Sequence, residues 1–432
     1  MNMLTMKRFW QSDKLRGAFY LSLMSAAALL GVGKQALFAK ILTPEEFGTY
    51  ALIVTICVYI VYAGALGLNE RLIKLVSTAY GKNDQESVLR LRDISLFYGM
   101  LATAACGLLY VVGVKIIISD AMIANTLALA APLAVASLGF NLVDGFMRAN
   151  QKILHFAAML FLRAVGIVAL GYSIGALYGV NGVILAELAA TFLIFLLFLW
   201  TGGDGFEARR LRQGRTILVN VIRNGLPFMS SMLIRNVSIS IDRWAIASSV
   251  GLAALGNYAF GMLIYIVAIT AAGFLMNVLG PRWLSRFAKT RDVPGLFRDI
   301  ERIAVILLIV AIILFVPVTH GFERLTVHFY PAYARDDVTS IAMFAYVGVT
   351  ILVCCQLFDW LFIATSCEPV LLRLSMWGLG FVTVLTGFAY WSNAGVVVYA
   401  EIFLACRILT AGLYWRKIVW LLRTFHQPIM KH

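Results

Sequence analysis

Along this chain, stretches of about twenty apolar residues alternate with short polar segments, and the alternation holds almost from end to end. A helix rising 1.5 Å per residue needs roughly 20 apolar residues to cross about 30 Å of hydrocarbon. Runs of that length fall at 17–39, 48–68, 94–117, 121–146, 153–176, 180–200, 225–248, 257–280, 302–319, 339–364, 370–391 and 394–415, numbered here as runs 1 to 12. The pattern predicts an all-α, polytopic membrane protein with about twelve transmembrane helices. Run 9 is short, and Pro317 near its end is expected to mark its outer limit, because proline breaks the hydrogen-bond ladder of a helix.

Composition agrees with a bilayer as the solvent. Of 432 residues, 61% are hydrophobic and 13% charged, against about 45–50% and about 25% in an average soluble domain. So much apolar surface cannot be hidden from water within one chain. The segment from Met1 to Arg16 is polar and basic, with no small-residue cleavage site after a short apolar core, and does not read as a cleavable signal peptide.

The net charge of +14 brings nucleic acid to mind, but the basic residues form short clusters between apolar runs, which is how orientation is encoded in a membrane. With the N-terminus in the cytoplasm, 27 of the 36 lysines and arginines fall in inner segments. Only Lys40, Lys115, Arg324 and Arg335 fall in outer ones, and five more lie inside runs. The skew predicts a bacterial cytoplasmic (inner) membrane protein with both termini in the cytoplasm, and no nucleic-acid partner.

The two halves of the chain repeat one another. Leu42-Thr43-Pro44-Glu45-Glu46-Phe47-Gly48-Thr49-Tyr50-Ala51 after run 1 matches Val250-Gly251-Leu252-Ala253-Ala254-Leu255-Gly256-Asn257-Tyr258-Ala259 after run 7, at an offset of 208. The same offset pairs Gly17 with Gly225 and Ser22 with Ser230. Leu142-Val143-Asp144 matches Leu357-Phe358-Asp359 at 215, and Ala186-Glu187-Leu188 matches Ala400-Glu401-Ile402 at 214. Four matches in order imply two six-helix halves. Six is even, so the repeats are parallel and are expected to surround a central cavity about an axis along the membrane normal. The expected division is an N-terminal bundle (1–205), a basic cytoplasmic linker (206–224) carrying Arg209, Arg210, Arg212, Arg215 and Arg223, and a C-terminal bundle (225–432).

The motif at Leu42–Ala51 resembles that of the first half of polysaccharide transporters in the multidrug/oligosaccharidyl-lipid/polysaccharide exporter superfamily. Gly225-Leu226-Pro227, Asp242-Arg243 and Leu255-Gly256-Asn257-Tyr258 resemble its second-half counterpart. The likeness covers nearly the whole chain. It implies a kinship with the Wzx-type O-antigen flippases, which carry polyprenyl-pyrophosphate-linked oligosaccharides from the inner to the outer leaflet. No invariant catalytic motif comes with it, so site residues have to be sought in the physics of the chain.

An ionisable side chain in hydrocarbon costs about 2.5–3.5 kcal/mol on insertion scales, so it usually faces a cavity or a partner. The cations so placed are Lys34, Arg163, Arg235, Arg243 and Arg407; the acids are Asp144, Glu187, Asp242, Asp359 and Glu401. Ser231, Arg235, Ser238 and Asp242 share one face of run 7. That face reads either as a cavity wall offering a cation to an anion or as a polar seam with Arg235 paired to an acid. Arg163, at similar depth in run 5, divides between the same two readings. Guanidinium groups bind phosphate oxygens through paired donors, which makes Arg235, Arg163, Lys34, Arg243, Ser231 and Ser238 the candidate substrate-binding residues. Asp242, Glu187, Glu401 and Asp359 are the candidates for gating or for coupling to a proton or sodium ion. An ion pair of Glu187 with Arg163, and of Glu401 with Arg407, is the competing reading. Lys34 and Asp242, at equivalent repeat positions, suggest a salt bridge closing an outer gate. Asp144 reads as a local pair with Arg148.

Other chemistry finds little support. The cysteines (Cys57, Cys106, Cys354, Cys355, Cys367, Cys406) lack CxxC spacing, and the five histidines form no metal-ligand pattern. Tyr390, Trp391, Trp415 and Trp420 read as interfacial anchors. No cofactor, metal or covalent catalysis is expected, so the chain is not read as an enzyme. The leading expectation is a flippase for an O-antigen, capsule or exopolysaccharide repeat unit, ion-coupled and working by alternating access. Its partners would be membrane lipid and other polysaccharide-assembly proteins of the membrane. The alternatives are an ion-coupled exporter of drugs or small cations, and a membrane-embedded polysaccharide polymerase or ligase.

Overall fold

The computed structural model describes residues 13–68, 72, 75–76, 79–80, 84–150, 152–201, 207–213, 215–365 and 367–426. Within them every regular element is helical, and no strand occurs. In chain order the helices are α1 (Asp13–Ile41), α2 (Pro44–Ala65), α3 (Gln85–Ile117), α4 (Ala121–Ala128), α5 (Ala130–Ala149), α6 (Ile153–Thr201), α7 (Ala208–Gln213), α8 (Arg215–Ser249), α9 (Leu252–Gly261), α10 (Leu263–Thr290), α11 (Val293–Phe329), α12 (Asp336–Ala364), α13 (Glu368–Trp391) and α14 (Val396–His426).

Nine helical segments among the described residues are long and apolar enough to cross a bilayer. Three features carry that figure to the twelve expected. The 49-residue α6 is two helices joined at Gly179, whose backbone (φ 58°, ψ −141°) lies in a region that side chains resist, so it holds two spans. The pair α9 and the first part of α10 is one span bent by 44°. Finally, α8 is long enough, but Arg223, Arg235, Asp242 and Arg243 dilute its apolar character. The fold is thus that of an all-α membrane protein of two repeats, with about twelve spans among the described residues.

Helix ends depart from the apolar runs where charged residues prolong a helix into the polar zone. α3 begins nine residues before run 3, and α14 continues to His426, eleven beyond run 12. α8 begins at Arg215, so much of the segment expected to be a linker is helix. Run 9 shows the largest departure. Pro317 was expected to end it, yet α11 passes through Pro317 and continues to Phe329. Stopping a helix inside hydrocarbon strands several carbonyls at several kcal/mol each, whereas an internal proline costs about 3 kcal/mol. Continuation costs less. The exposed face of α11 (Ile309, Ile312, Ile313, Val316) is apolar, as lipid contact requires.

Contacts divide the chain into two compact units. The first comprises the chain up to Leu42 together with Thr49–Leu233, and the second Thr43–Gly48 with Ile234–His432. In the first, α6 packs along α1, and α5 lies against both α3 and α6. Leu138, Leu142 and Phe146, one helical turn apart on α5, meet Phe195 and Phe198 of α6 in its core. In the second, α12 is central and packs against α10, α11 and α14. Leu357 and Leu361 of α12 meet Trp283, Ile300 and Ile418 there.

The segment Thr43–Gly48 belongs to the second unit for a local reason. Thr43 and Glu46 form a reciprocal capping box: the Thr43 amide donates to Glu46 Oε2 (3.0 Å) and the Glu46 amide to Thr43 Oγ1 (3.3 Å). Pro44 fills the first helical position, where its missing N–H costs nothing. The turn so fixed lies backbone to backbone on α9. A Cβ on Gly48 would collide with the Leu252 carbonyl, and one on Gly256 with that of Pro44. The repeated motif therefore encodes a close helix contact that only small residues allow. Gly256→Val is expected to destabilise the protein by about 1–3 kcal/mol or more, as overpacking does. Gly273→Ala, with nothing within 4 Å of the added carbon, should be neutral or stabilising. Thermal melts of the two purified variants check the contrast.

A charged clasp holds α7. Asp93 of α3 is 0% exposed. One of its oxygens takes Arg92 (2.7 Å), and the other takes Arg210 (3.1 Å) and the Glu207 amide (3.3 Å). Removing one partner of a buried ionic cluster leaves the rest uncompensated. Arg210→Ala should accelerate cleavage after the exposed Glu207 by a glutamyl endopeptidase several-fold in limited proteolysis.

Candidate functional site

The intramembrane charges gather into one cluster in each unit, and each cluster includes a tyrosine from the repeated motif. In the first unit Lys34 and Phe38 lie one turn apart on α1, and Glu187 and Thr191 one turn apart on α6. Lys34 Nζ sits 2.6 Å from Glu187 Oε1, and Tyr50 Oη donates to Glu187 Oε2 at 2.9 Å. The Tyr50 ring is held edge-on to Phe38 at 5.4 Å. Glu187 is 5% exposed, so both carboxylate oxygens are met by protein groups instead of water. Arg163, also on α6, donates through Nε to Thr191 Oγ1 (3.1 Å) and lies over the Phe140 ring at 4.4 Å. Among the described residues no carboxylate is within ion-pair distance of it. Asp144 and Arg148 form the local pair expected, at 2.7 Å.

In the second unit the acids sit on α8 and α12. Asp359 accepts from Tyr414 Oη (2.7 Å) and is 3.4 Å from Arg235 Nη1. Asp242 accepts from Tyr258 Oη and, at 2.8 Å, from the Arg243 amide. Ser238, one turn before Asp242 and buried, donates to the Ile234 carbonyl at 2.8 Å. Arg407 of α14 lies over the Phe403 ring at 4.7 Å. Glu401 is exposed and belongs to neither cluster. The Ser231 side chain lies outside the described residues.

These pairings revise several expectations. Glu187 pairs with Lys34 and not with Arg163, because α1 and α6 pack side by side. Lys34 is therefore engaged by a partner within its own unit. Arg407 does not pair with Glu401, whose side chain points away from the packed face of α14. Arg235 takes the ion-pair form of its two readings, with Asp359. Tyr50, Tyr258 and Tyr414 were missed. The recurrence of tyrosine at the same place in both copies of the motif was the available signal.

Chemically, each cluster joins a buried carboxylate to a cation and a phenol hydroxyl. Among the described residues no group of histidine, cysteine, aspartate and glutamate could hold a metal ion.

Comparison with known proteins is consistent with this architecture. The model of a family described as "Polysaccharide biosynthesis protein" matches residues 14–288. No curated protein matches the chain. Among solved structures, an inward-facing multidrug resistance MATE family transporter of the MOP superfamily aligns at a TM-score of 0.68 and 15% identity, over 94% of this chain and 99% of that one. The Vibrio cholerae MATE transporter VcmN aligns at 0.64 and 15% identity, over 94% and 97%. A MOP superfamily transporter from Pyrococcus furiosus aligns at 0.60 and 16%, over 93% and 94%. At such identities the likeness is one of fold.

Breaking a buried ion pair by removing one partner costs about 3–5 kcal/mol, while replacing both with apolar groups is often neutral. Lys34→Met and Glu187→Gln should each lower thermal stability markedly, and Lys34→Met/Glu187→Leu should recover most of the loss. Melting curves of the three variants measure the coupling.

Proposed function

Since the chain belongs to the polysaccharide biosynthesis protein family and has the fold of MOP-superfamily transporters, we propose that it translocates a polyprenyl-pyrophosphate-linked oligosaccharide across the bacterial cytoplasmic membrane. The observation that carries this reading is the surplus of guanidinium groups inside the helices. Arg163 and Arg407 have no carboxylate at ion-pair distance among the described residues, and each lies over an aromatic ring. Burying cations costs several kcal/mol each, and a helix bundle that only had to be stable would not retain them. Pyrophosphate is the part of this cargo that cannot cross hydrocarbon bare. Arginines supported by aromatic rings suit it, because each contact is individually weak and the cargo has to leave again.

In this reading the lipid tail stays in the bilayer while Arg163, Arg235, Arg243 and Ser238 meet the headgroup in turn. Glu187, with Lys34 and Tyr50, is the coupling element: a proton or sodium ion arriving at the carboxylate competes with Lys34 and frees the helix contact it holds. Asp242 and Asp359 play the same part in the second unit. Both termini lie in the cytoplasm, on the side of the basic segments. An exporter of cationic drugs is the alternative within the same fold, and cations at these depths disfavour it.

The test is transfer in proteoliposomes of the purified protein. The sidedness of a polyprenyl-pyrophosphate oligosaccharide is followed with a glycosidase that cannot cross the membrane. A charge-assisted hydrogen bond is worth about 1.5–3 kcal/mol, so Arg163→Gln is expected to slow transfer about 10- to 100-fold at unchanged abundance. No transfer by the unmodified protein across several glycans and imposed ion gradients, with cationic dye export intact in the same vesicles, would replace this reading with the drug-exporter one.

A further inference from the structure

Two grooves follow one face of α11, and neither belongs to the charge clusters described above. The first lies between the start of α11 and the end of α14, with about 480 Å³ of open space. Phe297, Arg298 and Glu301 line it from α11, and Trp415, Leu422 and Arg423 from α14. The second, of about 340 Å³, lies further along α11 against α12, and Leu308, Ile312, Phe315, Val347 and Ile351 line it. Arg298, Glu301, Leu308, Ile312 and Phe315 follow one another at helical spacing, with the exposed Val305 between the two grooves. One stripe of α11 therefore serves both.

The first groove is amphipathic. Phe297 and Leu422 are half-buried and packed on the core of the unit, whereas Arg298, Glu301, Trp415 and Arg423 are exposed. Among the described residues no carboxylate is within ion-pair distance of Arg298 or Arg423. Asp299 is engaged by Arg286, and Asp292 caps α11 by accepting from the Gly295 amide at 2.9 Å. An exposed indole beside arginines, on helices that leave hydrocarbon at this level, is the setting in which membrane proteins meet lipid headgroups. The second groove is apolar, because its hydroxyls are spent internally. Tyr346 Oη donates to the Ala311 carbonyl (2.7 Å) and Thr350 Oγ1 to the Tyr346 carbonyl (2.9 Å).

Helix rise links the two. Ile312 stands eleven residues beyond Glu301, roughly 16 Å along the helix, and half of the hydrocarbon thickness is about 15 Å. A lipid with its phosphate at Arg298 and Arg423 thus reaches the second groove with a fatty-acyl chain. Charge narrows the choice of lipid. Two arginines and one carboxylate leave a single positive charge in the first groove, which matches a phosphodiester and falls short of a pyrophosphate. Glu301 lies on the membrane side of Arg298, so the ammonium of a zwitterionic headgroup, which points to water, would meet Arg423 and not the acid.

We propose that the two grooves hold one anionic phospholipid of the phosphatidylglycerol class, its phosphate on Arg298 and Arg423 and an acyl chain between α11 and α12. The proposal does not depend on the nature of the transported cargo.

The test uses the full-length protein, stripped of lipid in maltoside micelles and melted with phosphatidylglycerol, phosphatidylethanolamine or phosphatidylcholine of the same chains at equal mole fraction. A ligand that binds only the folded state raises the melting temperature saturably, by about 3 °C or more once well above its dissociation constant. That rise is expected with phosphatidylglycerol alone. It should vanish in Arg298→Gln/Arg423→Gln and persist in Arg324→Gln, whose exposed side chain lies at the other end of α11. Val347→Trp, which fills the second groove, should weaken binding at least tenfold with the headgroup site intact. Native mass spectrometry counts the retained lipid without reference to stability, and should find phosphatidylglycerol on the unmodified protein and none on the double variant. Equal effects of the three lipids, or retention that survives in the double variant, would overturn the proposal. Undecaprenyl pyrophosphate displacing phosphatidylglycerol at lower concentration would also overturn it and give the grooves to a polyprenyl lipid.

Discussion

A carboxylate with almost no access to water can stay ionised only if protein groups replace its hydration shell. Glu187 shows how far the helix arrangement is bound up with that requirement. Lys34 from α1 and Tyr50 from α2 must both reach α6, which fixes the rotation of three helices at once. Phe38 then lies against Tyr50, and the Gly171 position of α6 accepts the Phe38 ring at a distance no larger residue would permit. Polar groups of this kind add little net stability compared with an apolar core of the same shape. Their effect is to select one rotation of each helix over its neighbours. In a bundle whose apolar faces are interchangeable with lipid, hydrophobicity alone cannot make that selection.

The two units solve the same problem with their charges rearranged. Tyr50 and Tyr258 occupy the same place in the repeated motif, and each donates to a buried acid, but Glu187 stands on the sixth span and Asp242 on the seventh. Lys34 corresponds to Asp242, so a cation in one copy stands where an acid does in the other. The aromatic support of arginine also recurs, with Arg163 over Phe140 and Arg407 over Phe403. What has been kept between the copies is the kind of contact, a phenol on a carboxylate and a ring under a guanidinium.

Much of the fold was legible because hydropathy and helix length are local properties. All twelve runs lie on observed helices, and the capping box at Thr43–Glu46 can be read directly from Thr-Pro-Glu-Glu. Helix ends were less legible, since α3, α8 and α14 continue through charged residues that hydropathy counts as loop. Pro317 misled because the cost of proline had to be weighed against the larger cost of ending a helix in hydrocarbon. Pairings at i, i+4 could be read, as Asp144 with Arg148 shows. Pairings across 153 or 124 residues, Lys34 with Glu187 and Arg235 with Asp359, could not, because they depend on which helix faces meet.

That distinction also explains why Arg407 drew no attention as a site residue in the sequence. Its position inside run 12 marked it as costly, but cost alone does not separate a paired cation from an unpaired one. Only once Asp359 and Asp242 are seen to be engaged by Arg235, Tyr414, Tyr258 and the Arg243 amide does Arg407 stand apart, with the Phe403 ring beneath it and no carboxylate at ion-pair distance among the described residues.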